Sequence, residues 1–303
     1  MKVGGAFSWA DSVGNEKLPT RTDELARSIP PRARQTALAE ALTLPHLRAF
    51  MPHLTPVQWL LAIVAAMGIG VAKSGFSGVS MVHVLVFASL FGELDSTGIV
   101  LPMLIVGDIS AVLTFRQHAQ WRYIWRMLPP TCLGVIGGWL LMRQINPAAF
   151  RPLLGWIILC LAMLQFARLR RPEWFTHVPH ARWFALTLGL LAGVTTMLAN
   201  AAGPVMALYF LAIGLPKLEF VGTSAWFFFI INVFKLPFST GLGLVRSDTL
   251  FLNAALVPAI VGGLFAGRWL VHRVSQRQFD ILVLAMVALA ALQRIGVFSL
   301  FKF

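Results

Sequence analysis

The sequence predicts an all-α polytopic membrane protein built from two homologous repeats of four to five helices each. The 303 residues are 57% hydrophobic and only 12% charged, with a mean hydropathy of +0.75, whereas soluble domains carry about twice that charged share. Several apolar runs approach the roughly 20 residues that a helix needs to cross a bilayer. Small and polar residues also recur at matching positions about 125 residues apart, which indicates an internal duplication.

The chain divides into three parts. Residues 1–56 are polar, basic and rich in proline, and predict a basic cytoplasmic N-terminal tail. Residues 57–170 form the first predicted transmembrane repeat, and residues 183–296 form the second. Arginines collect in short loops between apolar runs, on the same side as the basic tail, which gives about eight spans with both chain ends in the cytoplasm.

The orientation of the two halves depends on how the chain passes the interruption that opens each repeat. If the broken or re-entrant segment counts as one crossing, each half has four spans and the halves run parallel. If it is a hairpin or two full crossings, the halves are inverted. The basic loops favour the parallel arrangement, but interrupted segments are common in inverted-repeat carriers, so both arrangements stay open.

Each half opens with a short apolar segment, an interruption of small or polar residues, and a second short segment. The interruptions are Lys73–Gly78 in the first half and Asn200–Pro204 in the second. Glycine and proline free backbone polar groups that lipid cannot satisfy, so such interruptions must face protein or a water-filled cavity. Paired interruptions at matching places are the best sequence indication of a transporter's binding site.

Other features recur in the same order after each interruption. Asp108 corresponds to Asn232, in the middle of a long apolar run in each half. A glycine pair with i, i+4 spacing then follows in both halves and predicts close helix packing. These pairs are Gly134 with Gly138 and Gly263 with Gly267.

Polar groups inside a membrane are costly, so each one is a functional candidate. A lysine beside hydroxyls and exposed backbone N–H groups suits an oxyanion, and an asparagine amide can donate to an anion. Thr223 and Ser224 are predicted to begin a helix, where they would cap N–H groups that also attract anions. The candidate substrate-binding residues are Lys73, Ser74, Ser77, Asn200, Gly203, Thr223, Ser224, Asn232 and Lys235.

Asp108 is the candidate coupling residue. An aspartate within an apolar run must be paired or protonated, and Lys235 and Lys73 are the two partners that the sequence offers. The carboxylate could accept a proton and couple transport to the proton gradient, or it could form a static buried ion pair. The sequence leaves both interpretations open.

Three further polar residues near the interruptions are interpreted as structural. His83 lies one turn past the first interruption and predicts a packed or interhelical hydrogen-bonding side chain. Thr195 and Thr196 lie one turn before the second interruption, where a threonine hydroxyl commonly bonds back to its own helix.

The second half carries three segments in a distinctive order: Gly203-Pro204-Val205-Met206, Gly214-Leu215-Pro216 and Val221-Gly222-Thr223-Ser224. With the first interruption, these segments resemble the TauE/SafE family of sulfite exporters, over residues 57–296. The glycine clusters typical of that family are reduced here to Lys73–Gly78 and to Asn200-Ala201-Ala202-Gly203. The resemblance implies a transporter with two related halves that moves small anions, often sulfur oxyanions or organosulfonates.

The predicted function is therefore a secondary carrier for a small organic or inorganic anion, such as sulfite or an organosulfonate, with its site between the repeats. An anion channel, or a carrier for a non-sulfur small carboxylate, is the alternative. Motifs of intramembrane enzymes are missing, and Cys132 and Cys160 lie singly in apolar runs, so no catalytic activity, metal or cofactor is expected.

The expected partners are the small anion and the lipid bilayer. The net charge of +13 comes largely from arginines in loops, which indicates contact with lipid headgroups and not with nucleic acid. The predicted location is a bacterial inner membrane, crossed many times. The sequence leaves a homodimer open.

Overall fold

The computed structural model describes residues 54–76, 79–171, 173 and 182–270. Most of the predicted tail, Ser77 with Gly78, and the second predicted repeat beyond residue 270 lie outside the described residues. The described part of the chain is helical and contains no strand, so the prediction of an all-α chain is confirmed.

Nine α-helices account for most of the described residues. In chain order they are α1 (Pro56–Lys73), α2 (Ser80–Phe91), α3 (Glu93–Phe115), α4 (Trp121–Gln144), α5 (Pro147–Arg170), α6 (Arg182–Ala199), α7 (Gly203–Ala212), α8 (Lys217–Gly241) and α9 (Leu250–Leu270). A 3-10 turn follows α3 at Arg116–His118, and another precedes α9 at Ser247–Thr249.

Four segments of the described chain are long and apolar enough to cross a bilayer. They are Pro56–Lys73, Glu93–His118, Lys217–Gly241 and Ser247–Leu270. Shorter apolar helical stretches cover Ser80–Phe91, Ala148–Leu164 and Trp183–Ala199. The chain is therefore a multi-pass membrane protein by length and composition, and the count of eight spans stays a prediction.

Local sequence accounts for the start of α1. Thr55 caps the first turn because its hydroxyl accepts a hydrogen bond from the Gln58 N–H, at 3.3 Å, while the Gln58 side chain accepts one from the Thr55 N–H, at 2.9 Å. This reciprocal capping box satisfies two N–H groups that have no acceptor within the helix. Pro56 follows at the first helical position, where its missing N–H is harmless.

The exposed side chains of the long helices are large and apolar. On α1, for example, Val57 is 67% exposed, Leu60 61% and Val64 56%. In water such a surface would be unfavourable, but hydrocarbon tails solvate it. The short helices α2 and α7 are instead buried along most of their length, so the interrupted segments face protein, as their free backbone groups require.

Glycines bring two pairs of helices into close backbone contact. A Cβ on Gly70 of α1 would overlap the Ile260 carbonyl of α9, and a Cβ on Gly263 would overlap the Met67 carbonyl of α1. The packing of α4 on α6 follows the same pattern, because a Cβ on Gly134 would overlap the Leu190 carbonyl. The close packing predicted from the glycine pairs is thus confirmed at these positions.

The structure corrects one predicted helix start. Thr223 and Ser224 do not begin a helix, because α8 starts at Lys217, directly after Pro216. Proline fixes its own φ and cannot continue a preceding helix, so it sets the start of α8 two turns earlier than the Thr-Ser pair. Thr223 consequently lies inside the helix and cannot act as its N-terminal cap.

Candidate functional site

In each interruption a residue with a positive φ follows the preceding helix. After α1, Ser74 leads to Gly75, whose φ is 114°. After α6, Asn200 adopts a φ of 52°, the only positive φ of a residue other than glycine in the described chain. Asparagine tolerates this left-handed conformation better than most side chains do. The backbone therefore turns sharply at the ends of α1 and α6 before the short helices begin.

The short helices α2 and α7 begin at one common cavity. Ser80 opens α2, Gly203 opens α7, and both residues line a space of about 670 Å³, counting the part open at its mouth. The first N–H groups of a helix have no acceptor within it and carry partial positive charge. Two helix N-termini at one cavity create a site that favours anions.

Side chains from both halves of the chain complete the wall of this cavity, which we call the central cavity. Its polar lining comes from α1, α2, α6, α8 and the residue that follows α6, and its apolar lining comes mainly from α8. The lining residues are Ala72, Lys73, Gly75, Ser80, His83, Leu104, Thr196, Asn200, Gly203, Phe220, Val221, Ser224, Ala225, Phe228 and Asn232.

Asp108 connects the two halves beside this cavity. Its carboxylate is fully buried on α3, and one oxygen lies 2.5 Å from the Lys73 ammonium. The other oxygen accepts a hydrogen bond of 2.7 Å from the Asn232 side-chain amide on α8. The structure therefore pairs Asp108 with Lys73, not with Lys235. The Lys73 ammonium also lies 4.8 Å from the centre of the Phe228 ring, where a cation–π interaction stabilises it.

A second lysine is held by neutral oxygens. The Lys235 ammonium donates to the Thr196 carbonyl at 2.7 Å and to the Asn200 side-chain oxygen at 2.6 Å. The Asn200 amide nitrogen in turn donates to the Thr97 carbonyl at 2.9 Å. Lys235 is 1% exposed and lies behind the cavity-lining Asn200 and Thr196. The Lys235 ammonium therefore contributes positive potential to the cavity although it does not line it.

This set of charges has a net positive sign. Two ammonium groups, the largely buried Lys73 and the fully buried Lys235, lie near a single carboxylate, Asp108. Buried charges are tolerated only when they are paired or well hydrogen-bonded, and each ammonium meets this condition. Together with two helix N-termini, the excess cation makes the central cavity suited to a small anion. The described residues contain no cluster of three His, Cys, Asp or Glu side chains that could bind a metal.

Comparison with known proteins agrees with this chemistry. The model of the family described as "Sulfite exporter TauE/SafE" matches residues 59–294, most of the chain. The chain belongs to the TauE/SafE family. No curated protein and no solved structure matches it.

Membership of the TauE/SafE family confirms the resemblance found in the sequence. This is a family of membrane transporters, so the expectation that the chain is not an enzyme agrees with it. The lipid bilayer and a small anion are the partners that a TauE/SafE transporter requires.

The structure brings five of the predicted site residues of this TauE/SafE protein to the central cavity: Lys73, Asn200, Gly203, Ser224 and Asn232. Asp108 and Lys235 contact these residues from behind the wall. Ser77 lies outside the described residues.

Ser74 and Thr223 are placed elsewhere. The Ser74 hydroxyl donates to the Val71 carbonyl at 2.7 Å, and Ser74 lines a second, open pocket with Thr114, His118 and Arg268. The Thr223 hydroxyl is fully buried and accepts a hydrogen bond of 2.9 Å from the Gln120 N–H. Thr223 thus ties α8 to the segment before α4, although it was predicted to contact the substrate.

Two residues interpreted as structural lie at the cavity. His83 lines it and is 1% exposed. Thr196 lines it too, and its carbonyl receives the Lys235 ammonium. Thr195, by contrast, bonds back to the Leu191 carbonyl at 2.8 Å, as predicted. The position of His83 one turn past an interruption was the available signal, but a single histidine on an apolar face did not distinguish packing from binding.

Proposed function

We propose that this TauE/SafE protein is a secondary carrier for a small sulfur-containing anion, sulfite or an organosulfonate, and that the anion binds in the central cavity. The observation that carries the proposal is the convergence of Lys73 with the N-termini of α2 and α7 at one buried space. Cations and helix N-termini each stabilise an anion that has left water. The centre of a water-sized sphere can occupy about 60 Å³ of this cavity, several times what one water molecule needs, so the space fits a small anion.

The order of the helices supports a site between two repeats. Each half contains an 18-residue helix (α1, α6), a short helix of 12 or 10 residues (α2, α7) and a long helix of 23 or 25 residues (α3, α8). A 3-10 turn and a further long helix follow in both halves. Matching order over five elements is what duplication of an ancestral half would leave.

The packing also favours this division. The first helix of each proposed repeat packs on the fourth helix of the other, since α1 contacts α9 and α6 contacts α4. The third helices, α3 and α8, contact each other beside the cavity. Each proposed repeat therefore supplies one interruption and one set of polar side chains to the shared site. We retain 57–170 and 183–296 as the repeat boundaries and 1–56 as a cytoplasmic tail.

A direct test of the substrate class is thermal unfolding of the purified protein with candidate anions. Sulfite, thiosulfate, sulfoacetate, taurine and simple carboxylates form the panel. A ligand at 100 times its Kd stabilises the folded protein by about 2.7 kcal/mol, so a bound anion raises the Tm. We expect the sulfur compounds to do so. A shift with carboxylates alone would favour the alternative substrate class, and no shift with any anion contradicts the proposal.

The transport mode needs a separate experiment. Protein in vesicles that contain unlabelled substrate should accumulate labelled substrate from outside, because a carrier exposes one site to each side in turn and the unlabelled substrate inside competes with the label for exit. We expect saturable uptake with this counterflow. Single-channel currents without counterflow would show an anion channel instead.

We also propose Asp108 as the coupling residue. An anion that binds Lys73 competes with Asp108 for the same ammonium, and the carboxylate released from that pair becomes available to accept a proton. Replacing Asp108 with asparagine keeps the size of the side chain and removes the charge. We expect Asp108→Asn to abolish the dependence of uptake on a pH gradient, while counterflow persists. Unchanged pH dependence would contradict the coupling role and favour a static ion pair.

A further inference from the structure

Two buried polar groups at the central cavity have no hydrogen-bond partner within the described part of the chain. Both ring nitrogens of His83 are unpartnered, and so is the side-chain oxygen of Asn232. The two residues are 1% and 2% exposed, and both line the cavity. Buried polar atoms in folded proteins are nearly always hydrogen-bonded. Unpartnered polar atoms at a binding cavity therefore indicate which hydrogen-bonding groups the ligand carries.

The orientation of the Asn232 amide is fixed by its neighbour. Its nitrogen donates to one carboxylate oxygen of Asp108, and the other carboxylate oxygen contacts the Lys73 ammonium, which favours the ionised carboxylate. An ionised carboxylate only accepts hydrogen bonds. The Asn232 oxygen is therefore the atom left unpartnered, and it can only accept.

His83 adds a second acceptor. A neutral imidazole has one nitrogen that donates and one that accepts. The cavity consequently presents donors at Lys73 and at the starts of α2 and α7, but it also presents acceptors at His83 and Asn232. A simple anion offers acceptors only. It satisfies the donors and leaves these acceptors without a partner, which is unfavourable in a buried site.

We propose that the transported anion carries a hydrogen-bond donor in addition to its anionic group, and that the His83 imidazole and the Asn232 oxygen are the cavity acceptors available to this donor. A hydroxyl group near a sulfonate or a comparable oxyanion is the required chemistry. The inference rests on the proposed function, because it assumes that the anion binds in the central cavity. It adds His83 to the binding residues and narrows the substrate class.

Three matched sulfonates test this inference on the purified full-length protein. Ethanesulfonate has no donor, 2-hydroxyethanesulfonate adds a hydroxyl, and 2-methoxyethanesulfonate keeps the added oxygen without its hydrogen. We expect 2-hydroxyethanesulfonate to bind about three- to tenfold more tightly than ethanesulfonate, as one additional hydrogen bond in a buried site implies. The methoxy compound should gain nothing over ethanesulfonate.

Substitutions of His83 test whether this residue causes the preference for the hydroxyl compound. His83→Phe keeps an aromatic ring of similar size without nitrogen atoms, and should reduce the preference for the hydroxyl compound by about threefold. His83→Gln, which retains an acceptor and a donor, should keep most of the preference. His118 is exposed on the 3-10 turn after α3, so His118→Phe makes the same chemical change away from the cavity and should leave the preference intact.

The outcomes separate this inference from the proposed function. Equal affinities for the three sulfonates, or failure of the hydroxyl compound to bind, overturn the requirement for a donor, yet the anion carrier stands if sulfite or another anion binds. A preference that both His83 variants retain in full overturns the role of His83. The Tm of each variant without ligand shows whether it folds, and His83→Gln provides the comparison if His83→Phe does not.

Discussion

The two lysines at the central cavity are stabilised in different ways. Lys73, at the end of α1, contacts a buried carboxylate and a phenyl ring. Lys235, within α8, donates only to neutral oxygens of Thr196 and Asn200. Lys73 and Asp108 each neutralise the charge of the other, whereas the charge of Lys235 is stabilised only by the dipoles of neutral polar groups.

Because of this difference, we expect Lys73 and Lys235 to have different roles in transport. An anion that approaches Lys73 must compete with Asp108, so binding there changes an existing ion pair. Lys235 needs no such exchange, because no carboxylate lies within salt-bridge distance of it among the described residues. Its ammonium group contributes positive potential behind Asn200 without forming an ion pair. The first lysine is therefore suited to coupling and the second to attraction of the anion.

The largest expected effect comes from Lys73→Met. It leaves the fully buried Asp108 without a cation, and removal of one partner from a buried ion pair typically costs about 3–5 kcal/mol. We expect a large fall in the free energy of unfolding and no measurable uptake. Thermal unfolding in detergent and uptake into vesicles measure the two effects separately.

The double variant Lys73→Met with Asp108→Asn serves as the control. It removes both charges, so most of the lost stability should return while uptake remains absent. If the double variant transports normally, Lys73 has only a structural role. If stability does not return, the cost of Lys73→Met does not come from an uncompensated carboxylate.

Lys235→Met should have a smaller effect on stability. It leaves the Thr196 carbonyl and the Asn200 oxygen without a donor, which costs about 1–3 kcal/mol for buried acceptors, but no charge is left uncompensated. Affinity for the anion should fall because the net positive charge disappears. Lys217→Met is the matched control, since Lys217 is exposed at the start of the same helix. A loss of stability as large as that of Lys73→Met would contradict the proposed difference between the lysines.

The sequence was sufficient to predict the helical class and the positions of both interruptions. Glycine, proline and asparagine within apolar runs are unfavourable in a membrane unless they face protein or a cavity, so Lys73 and Asn200 could be selected as site residues. The partner of Asp108 could not be chosen, because Lys73 and Lys235 are both within reach until the helices are placed. Hydrogen bonds such as that from Lys235 to Asn200 join residues 35 positions apart, and local patterns do not encode them.

The incorrect helix start at Thr223 has a local cause. The Thr-Ser pair fits the pattern of an N-terminal cap, and the real start at Lys217 follows a proline but lacks a side-chain cap. The sequence predicts a packed or interhelical hydrogen-bonding role for His83, and the structure places this residue at the wall of the central cavity. Residue type alone therefore indicates neither the position of Thr223 within α8 nor that of His83 at the cavity.

A further difference between the two interruptions lies in their backbones. In the first interruption the positive φ belongs to Gly75, at 114°, and in the second it belongs to Asn200, at 52°. Asn200→Gly removes the amide but relaxes the backbone, whereas Asn200→Ala removes the amide and keeps a strained conformation. We expect Asn200→Ala to be less stable than Asn200→Gly by about 1 kcal/mol. Chemical denaturation of both variants measures the difference, and equal stabilities would show that the backbone is not strained.

The smallest expected effect distinguishes two neighbours on α8. Thr223→Val preserves the shape of the side chain but removes the acceptor for the Gln120 N–H, which should cost about 1 kcal/mol of stability. Because Thr223 does not line the central cavity, anion affinity should not change.

Ser224 does line the cavity, so Ser224→Ala should lower affinity about two- to threefold, as loss of one exposed hydrogen bond implies, with little effect on Tm. The reverse pattern, with affinity lost in Thr223→Val and stability lost in Ser224→Ala, would place the anion on the other face of α8. Both substitutions are mild, so neither variant should lose its fold. A change in anion affinity in only one of them therefore reports which side chain contacts the anion.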